Sequence, residues 1–294
     1  MNNSNKKTLI ITLTAVTLVL ASLFGYMFYT NASNTPSVNP GPGPVIINND
    51  DDYPEYRKLW DDNHKINSDY VGDLFFDSGL INVSFVQAKS VYKENGDMYQ
   101  FYTEDGRLVT NPAGYTGNDV YIWTYWKTGE YDYNDNGGSV FMDYRNNIDD
   151  QNVIIYGHHF SVWNDETRKK AFTPLEQLME KKNYNANQTV TMILENEIRK
   201  YELVYVYEFD ARQDKFFNDF QYWRTDYNYD DYSGTRDSEY YANYIKAIES
   251  EKLYDTGKKL TTNDKTLTLQ TCISGYTGEL FEILVFRLAE TINY

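Results

Sequence analysis

A succession of short apolar or alternating runs, each bounded by turn residues, limits what this chain can fold into. They are Leu74–Phe76, Ile81–Gln87, Val120–Trp126, Ser139–Tyr144, Val153–Tyr156, Thr189–Leu194, Tyr201–Phe209, Leu267–Thr271 and Phe281–Leu288. Alternation at period two is a strand pattern, and runs this short suit strands better than packed helices. Many short strands with loops between them close into a barrel or stack as a sandwich, so the chain is expected to be mainly β. Helical spacing is confined to a few places. Tyr56 to Ile66 offers Leu59, Trp60 and Ile66 for burial. Thr173-Pro174-Leu175-Glu176 reads as a capping box with proline at the first helical position, followed by Leu178 and Met179 on the face of Leu175. A further helix starts near Ser238, with Tyr241, Tyr244, Ile245 and Ile248 on one face. It lies within a long insertion, Asp210 to Asp264, and insertions of that length are usually functional or mobile.

The N-terminal part has a different character. After a polar tail, residues 1–7 with Lys6 and Lys7, residues 8–29 carry no charge. Roughly 20 apolar residues span a bilayer, so a transmembrane helix over 8–29 is expected. Tyr26, Phe28 and Tyr29 suit an interfacial belt, and the two lysines ahead of the span keep the N-terminus cytoplasmic. A cleaved leader ending near Ala32 and Ser33 is the alternative. Residues 30–52, with Pro36, Pro40, Pro42, Pro44 and the polar run Asn48 to Asp52, form a linker. Residues 53–294 are then an extracellular domain on a single-pass cell-membrane protein.

Formal net charge is −16, a surface that repels phosphate backbones, so no nucleic-acid partner is expected. Cys272 is the single cysteine, which rules out an internal disulfide. A lone extracellular thiol is an inert buried residue, an intermolecular partner or a nucleophile. Alternation along Leu267 to Cys272 puts Leu267, Leu269 and Thr271 on one face and Thr268, Gln270 and Cys272 on the other. If the leucines face the core, the thiol faces a groove. Of the three histidines, His64 sits among polar residues and reads as a surface residue, whereas His158 and His159 follow Gly157 at the mouth of another strand. A cysteine at one strand end and a histidine at another is the arrangement thiol chemistry needs, because imidazolium stabilises thiolate. No cluster has metal-ligand spacing, so no metal and no cofactor are expected.

These segments resemble the sortases, and class B in particular. Leu267-Thr-Leu-Gln-Thr-Cys272 is similar to the family's strand ending in its catalytic cysteine, and Asn152-Val-Ile-Ile-Tyr-Gly-His158 to the strand ending in its histidine. Gly138 to Asn146, Asn67 to Gly72 and the helix before the cysteine strand resemble class B. The resemblance implies a sortase-like closed β-barrel with an N-terminal helix and a helix-containing insertion before the cysteine strand. It also implies a cysteine transpeptidase that cleaves a C-terminal sorting signal of surface proteins. Cys272 would carry a thioacyl intermediate, and His158 would act as acid and then as base. The acceptor would be a peptidoglycan cross-bridge or pilin amine. Thr268, Gln270 and Thr271 are candidate substrate-binding residues, and Asp143 and Arg145 read as an ion pair.

One family feature departs. Sortases carry an arginine at the start of the last strand, and here that slot falls on Phe281 or Glu282. Arg287, the only arginine after the cysteine, is the catalytic candidate out of register, about 20 Å along the strand. Arg212, Arg224 and Arg236 of the insertion are the other sources. The alternative function is a sortase-fold peptide-binding or assembly protein with weak or no catalysis. Tyr222, Trp223, Tyr227, Tyr229 and Tyr232 are candidates for lining a groove or packing the insertion.

Overall fold

The computed structural model describes residues 54–88, 91–95, 98–102, 118–129, 137–144, 146–160, 169–210, 238–273 and 280–293. The expected transmembrane segment 8–29 and linker 30–52 lie outside them. Among the described residues no helix is long and apolar enough to cross a membrane.

Eight strands close a barrel: β1 (Tyr70–Phe76), β2 (Asn82–Val86), β5 (Val140–Met142), β6 (Asn152–Tyr156), β9 (Thr266–Cys272), β10 (Leu280–Asn293), β8 (Glu197–Asp210) and β7 (Thr189–Ile193), in that spatial order. Between β2 and β5 in sequence, β3 (Val91–Asn95) and β4 (Met98–Tyr102) make a separate two-stranded hairpin. The pairs β2/β5 and β6/β9 are parallel, and the other barrel pairs are antiparallel. Closure leaves no barrel edge to template association.

Period-two alternation sorts the strands into two faces. Leu74, Phe76, Val153, Ile155, Leu203, Leu267, Leu269, Leu284 and Phe286 fill the interior. The opposite face of β6, β8 and β10 presents Ile154, Tyr205, Tyr207, Ile283 and Val285. This outer surface is apolar because α3 (Ser238–Glu251) covers it with Tyr241, Tyr244, Ile245 and Ile248. Each such side chain contributes about 1.5–3 kcal/mol on burial. Helix α1 (Pro54–Ile66) precedes the barrel, and its Trp60 stacks on His64 with centroids 4.4 Å apart. His64 is therefore half-buried against an aromatic ring and is not the surface residue expected.

Two local expectations are corrected. The run Val120–Trp126 is not a strand: α2 (Asp119–Trp123) occupies most of it, with Val120, Tyr121 and Trp126 packed on Tyr70 and Phe141. Thr173 to Met179 forms a 3-10 helix, not an α-helix, and its capping box is unused. The Thr173 hydroxyl accepts instead from the Phe160 backbone N–H at 2.9 Å, and Glu176 reaches His159. Tertiary partners outcompete local capping at both residues.

Candidate active site

The parallel register of β6 and β9 relates the strand ends that carry the two candidate residues. Asn152 aligns with Thr266 and Tyr156 with Gln270. Carried two residues further, it places His158 alongside Cys272 on neighbouring strands, about 4.8 Å apart in backbone. Three hydrogen bonds hold these ends. The Gly157 N–H donates to the Gln270 carbonyl at 3.1 Å, and the Thr271 hydroxyl donates to the Gly157 carbonyl at 2.8 Å. The Phe172 N–H donates to the His158 carbonyl at 3.2 Å.

Glycine is required between Tyr156 and His158. A Cβ at Gly157 would lie 2.4 Å from the Phe172 ring, closer than carbon atoms can approach. Phe172 is itself fully buried in the barrel core, so the loop carrying His158 rests directly on that core. The His158 ring meets Phe160 edge-on at 4.7 Å.

Cys272 is half-buried on the outer face, as the alternation predicts, and burial pushes its thiol up from the ordinary 9.0. Burial pushes the His158 imidazole down from 6.5, and His159 adds a smaller push in the same direction. Both shifts favour a neutral thiol beside a neutral imidazole. His159 is a different kind of residue: buried, with its Nε2 3.0 Å from the Glu176 carboxylate.

The remaining candidates separate. Gln270 is half-buried on the face of Cys272, beside Tyr156 and two residues short of the thiol. Thr268 shares that face but is fully buried under the α3 side and donates to Asn152 Oδ1 at 2.8 Å, so it does not line a groove. Thr271 faces inward, and its hydroxyl donates to the Gly157 carbonyl.

Arg287 is not brought to the thiol. It pairs with Thr266, at the opposite end of β9 from Cys272, and forms an ion pair with Glu202 at 3.0 Å. The residue across from Cys272 is Phe281, and Glu282 faces inward beside Thr271. Among the described residues, Arg57 and Arg199 are likewise engaged elsewhere, with Asp61 and Glu195, and with Asp149. Arg212, Arg224 and Arg236, the insertion aromatics and Arg145 lie outside the described residues.

Asp143, expected in a surface or structural ion pair, is fully buried. Its Oδ2 accepts from the Tyr156 hydroxyl at 2.9 Å and from Asn118 at 3.1 Å, fixing the tyrosine beside Gln270. No sequence pattern distinguishes such an interior acceptor from a surface acid. Among the described residues no group of histidine, cysteine and carboxylates could hold a metal.

No protein-family profile matches the chain. Two curated relatives are named Sortase B. One, from Staphylococcus aureus, is 26% identical over 150 residues, which are 50% of this chain and 53% of that protein. The other, from Listeria monocytogenes, is 28% identical over 191 residues, 63% of this chain and 67% of that protein. The first match thus spans about half the relative's length. Among solved structures, Clostridium perfringens sortase B is similar with a TM-score of 0.55 at 23% identity, covering 78% of this chain and 99% of that one. Staphylococcus aureus sortase B gives 0.56 at 20% identity, covering 80% and 88%. The chain therefore has the fold of these class B sortase structures, and its sequence is similar to two proteins named Sortase B.

Proposed function

We propose that the chain is a cysteine transpeptidase acting through Cys272 and His158. The observation that carries this reading is the parallel β6/β9 register, whose continuation past Tyr156 and Gln270 brings half-buried His158 level with half-buried Cys272. The sequence relatives named Sortase B support it. In the proposed reaction Sγ attacks a peptide carbonyl as its proton passes to His158, forming the C–S bond. His158 then returns that proton to the leaving amine as the C–N bond breaks, which leaves a thioacyl enzyme. An incoming amine gives a proton to His158 while attacking the thioester, and the proton returns to sulfur as the peptide is released. Atoms and charge balance at each step, and no cofactor enters.

Solved structures of sortase B are described in complex with substrate, for the Staphylococcus aureus protein, and in complex with triglycine. By analogy the acyl donor here is the sorting signal of a surface protein, and the acceptor is a peptidoglycan cross-bridge or pilin amine. Residues 8–29 are proposed to anchor the chain in the cell membrane with residues 53–294 outside.

Intact-mass measurement of the purified full chain incubated with sorting-signal peptides tests the reading. An acyl adduct on Cys272 is expected, abolished in Cys272→Ala and slowed by about 10²-fold or more in His158→Ala, the usual worth of a positioned acid–base. Peptide binding with no adduct, from a thiol that still reacts with iodoacetamide, would replace it with the alternative, a sortase-fold peptide-binding or assembly protein. That outcome would fit the absence of an arginine at Phe281 or Glu282, since an absent oxyanion donor costs about 10²–10³ in rate.

A further inference from the structure

The barrel's outer face carries a row of side chains running sideways from the thiol. The β6/β9 register carried past Tyr156 and Gln270 brings His158 level with Cys272, Cys272 pairs with Phe281 across β9/β10, and Phe281 with Phe209 across β10/β8. Phe209 is buried, and the two rings stack with centroids 5.7 Å apart at 23°. Phe281 is half-buried, its ring stacks on Phe209, and it pairs directly with Cys272 across β9/β10. The next row, Tyr156, Gln270, Ile283 and Tyr207, passes from half-buried residues to a fully closed pair beneath α3. Tyr156 is held by Asp143 through its hydroxyl, so half-buried Phe281, Gln270 and Tyr156 lie on the strand positions around Cys272. None of these side chains carries a formal charge.

We propose that Phe281 is a specificity-determining residue, an aromatic platform that takes an apolar side chain of the acyl donor within one residue of the reacting carbonyl. The inference rests on Cys272 being the acyl-accepting thiol. Its basis is distance: Phe281 lies one strand spacing, about 4.8 Å, from Cys272 in backbone, so residues flanking a carbonyl bound at the sulfur fall within side-chain reach of its ring. A flat ring already packed on a second ring offers contact area without ordering cost, whereas an acidic side chain placed there would lose water and gain no partner. Donors with leucine-like residues are accepted, and donors with aspartate there are rejected.

The test uses peptidyl chloromethyl ketones, which alkylate a groove thiol whether or not the protein completes acyl transfer. Two series carry Leu or Asp, one at the residue bearing the electrophile and one at the residue before it. Alkylation of Cys272 in the full chain is followed by intact mass and normalised to the iodoacetamide rate. The expected result is a Leu-over-Asp preference of about tenfold or more in at least one series, the scale on which apolar pockets discriminate. Phe281→Ala should bring that ratio close to one, and Phe281→Leu should keep most of it if the alanine variant misfolds. Equal rates for Leu and Asp in both series, or a preference unchanged in a folded Phe281→Ala protein, overturns the proposal. Failure of the transpeptidase reading is separate, because it shows as alkylation without any thioacyl adduct from peptide substrates.

Discussion

At Cys272 and His158 burial acts on two groups of opposite charge type, and the outcome is a pH profile. The thiol is held above 9.0 and the imidazole below 6.5. The competent form keeps one proton between them: the imidazole must be neutral to accept it, and the pair must still hold it to protonate the leaving amine. Below the His158 pKa the base is blocked, and above the thiol pKa the proton is gone. The rate of thioacyl formation should therefore rise through an acid limb below pH 6.5, stay flat through neutrality and fall only above pH 9.0. Stopped-time mass spectrometry across pH measures this, and an acid limb centred above 6.5 would contradict the burial of His158. Thr271 supplies a second residue-scale prediction. Its hydroxyl clamps Gly157 and so holds the histidine loop to the cysteine strand. Thr271→Val keeps shape and volume but leaves the Gly157 carbonyl unpaired. It should cost about 1–3 kcal/mol in stability, read as the midpoint of denaturant unfolding, and slow thioacyl formation. An unchanged midpoint and rate would reduce the clamp to an incidental contact.

Among the elements, α3 closes the outer face over β8 and β10 and so sets where the open surface near Cys272 begins. Ile248 is fully buried beneath it, whereas Lys246 on the same helix is exposed. Ile248→Ala should destabilise the fold by about 2–5 kcal/mol, while Lys246→Ala should stay within about 0.5 kcal/mol. Equal effects in thermal unfolding would mean that α3 does not pack as described. The helix was legible in sequence because Tyr241, Tyr244, Ile245 and Ile248 repeat at helical spacing, and β6, β9 and β10 were legible from their apolar alternation. The run Val120–Trp126 was misread because a short apolar segment has no periodicity that separates a strand from a buried turn of helix. The capping box failed for another reason: Thr173 and Glu176 match the local pattern, yet Phe160 and His159 claim their side chains from a distant loop. At the site, alternation along β9 was enough to put Cys272 on the face opposite the core leucines. It could not say that Thr268 would be sealed under the α3 side, nor that Phe281 would be the residue opposite the thiol.

For the molecule as a whole, the −16 charge and one interior carboxyl act together on stability. Glu282 is fully buried at the barrel end behind Thr271, and neither of its carboxyl oxygens has a hydrogen-bond partner among the described residues. Burial, reinforced by the charge of Glu176, raises its pKa well above 4.5. Tyr254 is pushed up as well, by burial first and then by Glu282. Glu208 aligns with Glu282 from β8 but is exposed to solvent. In the unfolded chain Glu282 loses its proton near 4.5, whereas the folded barrel keeps it to higher pH. Between those two values the native state binds more protons than the unfolded state, so stability falls as pH rises, by up to about 1.4 kcal/mol per pH unit. Lowering the pH from about 7.5 toward about 5 should therefore raise the melting temperature. Relief of self-repulsion among the surface acids acts in the same direction, so the wild-type slope alone does not assign the effect. Glu282→Gln separates the two, because it leaves the surface acids in place and removes only the interior proton. Its melting temperature should climb less steeply on acidification over that range. Parallel slopes for the two proteins would mean that Glu282 is solvated in solution and that the barrel end is open to water.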